Sequence, residues 1–107
     1  MAKRFVIVHE IDGIFVGHAM GLAFYSNLDC VGQCYVATFE TEEQCATFIS
    51  DTGDFPMDMF KVIQVEVSDK DPTYAHPDEL DAAGLGHLTE ELRINFATEE
   101  AHLQGRV

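Results

Sequence analysis

The chain has 107 residues and carries 19 acidic against 6 basic residues, a formal net charge of −13, beyond the magnitude of about 2 to 8 usual for a small soluble domain. That balance excludes direct binding of DNA or RNA, whose phosphates demand a basic footprint, and no segment approaches the roughly 20 apolar residues of a membrane span. With 47% hydrophobic residues and eight Phe, the composition is that of a folded chain rather than a disordered acidic tail, and the length suits one domain, since domains cluster near roughly 100 to 150 residues.

The charge is unevenly placed. No Lys or Arg lies between Arg4 and Lys61, while Phe5 to Phe60 holds nine carboxylates from Glu10 to Asp58, with His9 and His18 as the sole histidines of that stretch. Three cysteines cannot form a complete intrachain disulfide framework, which points to reduced thiols. The apolar run after Lys3 and Arg4 is cut at His9 and Glu10, short of a signal-peptide core. A cytoplasmic location is the expectation from both.

In chain order, Phe5 to Glu10 and Ile14 to Gly17 are apolar runs around Asp12-Gly13, the signature of a β-hairpin. A two-residue type I′ turn would pair Ile11 with Ile14, set His9 opposite Val16 and Ile7 opposite His18. Both sides of this hairpin are apolar, as for strands covered on two faces. Met20 to Gly32 shows no sustained period and reads as an irregular connection with a short turn around Ala23 to Leu28. Gln33 to Phe39 reads as a third strand.

Thr41-Glu42-Glu43-Gln44 is a capping-box pattern that opens a helix from Glu42 to Asp51, with Cys45, Phe48 and Ile49 spaced to face a sheet and Thr52-Gly53 as its stop. Phe60 to Val67 alternates as a half-buried strand. Residues 68–88, rich in acids and containing Pro72 and Pro77, read as an acidic linker or lid after a core of residues 1–67. Leu88, Leu92 and Phe96 then recur at four-residue spacing with Thr89 as an N-cap, so 89–107 is expected to be a C-terminal helical segment of the same single domain. The fold predicted is α+β: an antiparallel sheet of about four strands, one helix packed on a face, and a C-terminal helix that either covers the other face or docks on a partner.

Candidates for chemistry are few. Cys30 and Cys34 have the spacing of half a zinc site, with a His or Cys45 to complete it, but no second pair follows. In the predicted hairpin His9 and His18 are diagonal neighbours about 7 to 8 Å apart between backbones, close enough for a metal-binding or enzymatic alternative. Around the cysteines there is no cation to depress a thiol pKa, and phosphate-cradling glycine motifs are absent. No cofactor, metal or catalytic residue is expected.

The acidity suggests the converse of nucleic-acid binding. A folded surface of carboxylates can occupy a basic groove made for phosphates, steered there by complementary charge. Glu40, Glu42 and Glu43 at the helix start, with Asp51, Asp54 and Asp58 at and beyond its end, are the candidate partner-binding face. The partner expected is the basic surface of a nucleic-acid-binding protein or complex. The order of hairpin, strand, helix over TFETEEQCATFI and strand KVIQVEV, from Phe5 to Val67, resembles the small acidic single-domain α/β proteins encoded by phages and prophages, a group that includes anti-CRISPR and other anti-defence inhibitors. The resemblance implies a non-catalytic inhibitor and DNA mimic acting in a host cytoplasm, and it carries over no individual functional residue. The rival readings are a small accessory protein-binding module docking through an exposed sheet edge or through Leu88, Leu92 and Phe96, and a surface adapted to high salt.

Overall fold

The computed structural model describes residues 1–19, 22–27, 35–52, 57–90, 92–95 and 97. The fold is α+β. Strands β1 (Ala2–His9), β2 (Gly13–Ala19), β3 (Leu22–Tyr25) and β5 (Phe60–Val67) form an antiparallel sheet in the order β3-β2-β1-β5, and a separate two-stranded ladder joins β4 (Val36–Ala37) to β6 (Tyr74–Ala75). Helix α1 (Glu42–Thr52) precedes β5 and helix α2 (Pro77–Ala82) follows β6, with 3-10 turns at Met57–Met59 and Gly86–Leu88.

The first hairpin departs from the two-residue turn. His9 pairs with Gly13 and Val8 with Ile14, so Glu10, Ile11 and Asp12 make a three-residue turn that closes on Gly13 at φ +87°. The residue opposite His9 moves from Val16 to Gly13, three positions. An odd displacement exchanges the two faces of a strand. Ile14 and Val16 therefore join Val6 and Val8 on one side, and Phe15 joins Ile7 on the other. Ser26 and Asn27 hold the turn in this register. The Ser26 hydroxyl accepts a hydrogen bond from Ile14 N–H at 3.0 Å, Asn27 N–H donates to Asp12 O at 2.9 Å, and the Asn27 amide donates to Ile11 O at 3.1 Å.

Leu22 to Tyr25, expected to be irregular, is the outer strand of the sheet, pairing Tyr25 with Phe15 and Phe24 with Gly17. Two residues of β2 advance there against one of β3, so Val16 is a β-bulge that bends β2. The expected third strand shortens to Val36 and Ala37. Its backbone connection to the main sheet among the described residues is the pairing of Phe39 with Phe5, in which each N–H donates to the other's carbonyl at 2.9 and 2.7 Å. Residues 28–34 lie outside the described residues.

Because β1 is central, adjacent residues Val6 and Ile7 are both fully buried, each in a different core. One core packs Ile7, Phe15 and Phe60 against Cys45 and Ile49 of α1. The other packs Val6, Ile14, Val16, Val65 and Val67 against Leu80, Leu85 and Leu92. The molecule is thus a sheet with α1 on one face and the C-terminal elements on the other.

This corrects the reading of residues 68–88 as a linker or lid. Pro77 stands at the first helical position, where its missing N–H costs nothing. The His76 imidazole accepts a hydrogen bond from Asp78 N–H at 3.0 Å, and the Glu79 carboxylate accepts from both His76 N–H at 2.8 Å and Ser68 N–H at 2.7 Å. At the other end Gly84, at φ +82°, completes a Schellman motif: Leu85 N–H donates to Leu80 O at 2.9 Å and Gly84 N–H to Asp81 O at 3.0 Å. Arg93 then ties the following helical residues to α2 through Asp78, at 3.0 Å, and Asp81. Of the C-terminal stripe, Leu92 is buried, Leu88 lies in a 3-10 turn at the core margin, and Phe96 is outside the described residues. Thr89, expected as an N-cap, is buried with its hydroxyl donating to Gly86 O at 2.9 Å.

Two substitutions check this architecture. Leu80→Ala should lower stability to urea by about 2 to 5 kcal/mol, as for a fully buried leucine, whereas a leucine in a solvated linker would cost almost nothing. Gly13→Ala forces a side chain into positive φ with its Cβ against the Ser26 hydroxyl oxygen, and should cost about 1 to 3 kcal/mol in the same assay.

Candidate functional site

Helix α1 starts where the sequence says it should. Gln44 N–H donates to the Thr41 hydroxyl at 3.1 Å, and the Gln44 side chain accepts from Glu40 N–H at 2.9 Å, a capping box displaced by one residue at its return bond. The inward side of the helix presents Cys45, Phe48 and Ile49. Phe48 stacks on Phe15 at a ring separation of 4.5 Å and on Phe39 at 5.5 Å. This aromatic contact fixes the roll of α1, and with it the direction of the acids on the other side.

Glu40, Glu42, Glu43, Asp51 and Asp58 are all exposed, and Asp54 lies outside the described residues. At ~100° per residue, Glu43 and Asp51 stand roughly 80° apart on the outward side of the helix, while Glu42 is on its flank. None of the five is in an ion pair among the described residues, in contrast to Asp78 and Asp81, which share Arg93, and Asp69, whose carboxylate lies 3.1 Å from the Met1 amino group. The sheet therefore separates two acidic regions, one partly neutralised by Arg93 and one whose α1 carboxylates have no ion-pair partner among the described residues, with Lys3 on the same face of β1 as Phe5 and Ile7 but opposite Glu66.

The acids of α1 do not have the same structural meaning. Glu42 and Glu43 occupy the first turn, where the helix dipole favours negative charge, but Asp51 is in a last turn that carries no basic residue. There the dipole opposes it, by about 0.3 to 1 kcal/mol. Asp51 is a carboxylate that the local fold does not ask for.

The histidine and cysteine candidates resolve differently. His9 Nδ1 accepts hydrogen bonds from Ile11 N–H at 3.2 Å and Asp12 N–H at 3.0 Å, and the ring stands edge-on to Phe60 with centroids 4.7 Å apart. Its nitrogen lone pair holds the hairpin turn. His18 belongs to β2 with its side chain outside the described residues, as are Cys30 and Cys34. Among the described residues no group of three or more His, Cys, Asp or Glu could hold a metal ion. Cys45 is fully buried, and burial, reinforced by the negative charge of Glu42, pushes its thiol up from 9.0 to about 11. This is the opposite of nucleophile activation.

One feature was hidden from sequence reasoning. Where the Val16 bulge carries β2 away from β1, a cleft of about 340 Å³ opens, lined by Phe15, Val16, Gly17, Ala37, Thr38, Phe39, Phe48 and Tyr74. Among the described residues, nothing beyond its chain neighbours lies within 4 Å of the position a Gly17 Cβ would take. The Thr38 hydroxyl at its margin accepts from Arg4 Nε at 3.0 Å and donates to Pro72 O, so it is committed to joining β1, β4 and the turn before β6. Only the bulge and the long-range bridge of Phe5 to Phe39 create the cleft, and neither has a local sequence signature. No helix among the described residues is long and apolar enough to cross a membrane. No protein-family model, no curated protein and no solved structure matches this chain.

Cys45 supplies a direct check on the core. The unfolded thiol ionises near 9.0 and the folded one near 11, so its contribution is intact below pH 9 and is lost as pH rises from 9 toward 11, about 2 to 3 kcal/mol at most. With Cys30 and Cys34 replaced by Ser, the remaining thiol should resist a disulfide reagent at pH 8 until denaturant is added. Cys45→Ala should flatten the fall in stability between pH 9 and 11.

Proposed function

We propose that this chain is a non-catalytic acidic binding protein whose α1 side docks on a basic surface of a nucleic-acid-binding protein and inhibits it by standing in for phosphates. The observation that carries the reading is the set of exposed carboxylates Glu40, Glu42, Glu43, Asp51 and Asp58 in and around α1, none of them in an ion pair among the described residues, with Asp51 retained against its own helix dipole. The layout from Phe5 to Val67 that resembles phage-encoded inhibitors gives the same reading and makes a host defence complex the class of target, acting in the host cytoplasm. For the accessory-module alternative, Leu92 is fully buried and Leu88 packs at the core margin, which argues against that stripe and leaves an exposed sheet edge as its docking surface.

Magnitudes set the kind of mimicry. Glu42 and Asp51 are nine residues apart, about 13 Å along the axis, a length over which duplex DNA presents roughly eight charges. Three helix carboxylates in that span are a sparse imitation. They suit a local cluster of arginines and lysines rather than a whole duplex channel, and binding should weaken with salt less steeply than DNA binding to the same partner.

The test is capture of a partner at low salt, followed by direct titration of the purified partner in competition with its nucleic acid. Reversing Glu42, Glu43, Asp51 and Asp58 to Lys should abolish binding while leaving the circular dichroism spectrum unchanged. Unaltered affinity would refute the assigned face, and failure to bind any basic nucleic-acid-binding protein would refute the function. Asp51→Lys alone should raise the stability of the fold by about 0.3 to 1 kcal/mol while weakening the complex, a divergence that a purely structural or solubilising Asp51 would not give.

A further inference from the structure

We propose that the outer edge of β5 is a two-fold interface at which a second copy of this chain adds its own β5 in antiparallel register, extending the sheet across both molecules. The proposal does not depend on the acidic face of α1. Strand β5 is the last in the sheet order and pairs with β1 without a break from Ala2 opposite Val67 to His9 opposite Phe60. Glu10 N–H donates to Met59 O at 2.9 Å in the same register, which fixes the alternation: Lys61, Ile63, Val65 and Val67 bond inward to β1, and Phe60, Val62, Gln64 and Glu66 point their N–H and C=O outward. Those outward groups have no partner among the described residues. The end of the edge is closed at Ser68, whose N–H is taken by Glu79 at 2.7 Å.

Edges of this kind are usually blunted by proline, bulges or brevity. β5 is eight residues long, with neither proline nor bulge, and its middle residues Val62 and Ile63 are apolar and half-buried, one on each face. Charge selects the occupant. The strand carries only Lys61 and Glu66, which cancel, and Lys3 stands directly opposite Glu66 on β1. In a chain of net charge −13 this is a locally neutral strip, on which a like-charged copy approaches without the repulsion it meets over α1. A two-fold axis at Ile63 places Ile63 opposite its counterpart, Val62 opposite Gln64 and Phe60 opposite Glu66 of the other copy. Every outward N–H and C=O then finds a partner, and no like charges are directly opposed.

The test uses the full chain in sedimentation equilibrium across protein concentrations at low and high salt. The mass should rise from monomer toward dimer with concentration, and further at high salt, where residual repulsion is screened; binding through the α1 acids has the reverse salt dependence, so the two readings fail separately. Gln64→Pro removes an outward N–H without touching the β1 ladder, and should abolish the dimer with unchanged circular dichroism. Should that variant not fold, amide exchange of the unaltered chain decides. Protection that grows with concentration at Phe60, Val62, Gln64 and Glu66 supports the interface. A monomer at every concentration in high salt, or a dimer in which those four amides stay unprotected, overturns it.

Discussion

The turn at Gly13 decides what the rest of the molecule can be. With φ at +87° and the Ser26 oxygen where a Cβ would go, the chain can close only with Gly13 opposite His9, and the two nitrogen-bound protons received by His9 Nδ1 lock the residues between. The parity of β2 follows from that closure. Phe15 is thereby delivered to the side of Ile7, where it meets Phe48 and seats α1, and Ile14 and Val16 to the side of Val6, where they meet Leu80 and Leu92. A slip of one residue would turn Phe15 away from Phe48 and Ile14 and Val16 away from Leu80 and Leu92, so both cores would lose their β2 contribution at once. The two cores are coupled through a single strand, since Val6 and Ile7 are neighbours in sequence and fully buried on opposite faces.

The sheet also partitions charge. On its C-terminal side acids serve the fold: Glu79 joins the end of β5 to the start of α2, and Asp78 and Asp81 receive Arg93. Each of those carboxylates replaces a hydrogen bond that water would otherwise supply, and a cation offsets part of their repulsion. On the other face the acids of α1, Glu42 and Glu43, have the helix N-terminus to favour them, and Asp51 lacks even that. Self-repulsion among exposed charges weakens any compact state. An acidic surface held on a helix that is seated by three phenylalanine rings therefore represents stability forgone on one side of the protein while it is secured on the other.

Much of this was legible in the residues, and the remainder was not for definable reasons. Helix α1 and strand β5 are determined by short-range signals, a cap at Thr41 and the alternation of Ile63, Val65 and Val67 with Gln64 and Glu66, and the structure has both. Glu42, Glu43 and Asp51 sit on the surface at their positions in the helix, and Glu40 and Asp58 are exposed beyond its two ends. The hairpin failed by register, because Asp12-Gly13 is compatible with both a two-residue and a three-residue turn, and the choice is made by Ser26 and Asn27 from a dozen residues away. β3 was missed since Leu22 to Tyr25 is only four residues, and its pairing is irregular at the Val16 bulge. Residues 77–84 did carry a helix signature, Pro at the first position and Gly after the last, but their acids and prolines weighed as a linker. What sequence could not show is that Leu80, Leu85 and Leu92, spread over three short elements with no common period, converge on one face of the sheet.

That convergence bears on how the acidic side can work at all. An isolated helix of eleven residues with Glu and Asp as its only charges would barely form in water, since helices shorter than about 12 to 15 residues are marginal. α1 persists because Cys45, Phe48 and Ile49 are anchored on β1 and β5, and those strands are held in turn from behind by the C-terminal elements. The fold thereby fixes the spacing of the outward carboxylates before any partner arrives, so that the ordering entropy a flexible acidic tail would lose on docking is already spent in folding. A tail of equal charge would gain the same long-range attraction to a basic groove but would have to be ordered on contact. The difference between the two is selectivity for the geometry of the groove, and it rests on the phenylalanine contact beneath the helix rather than on the carboxylates themselves.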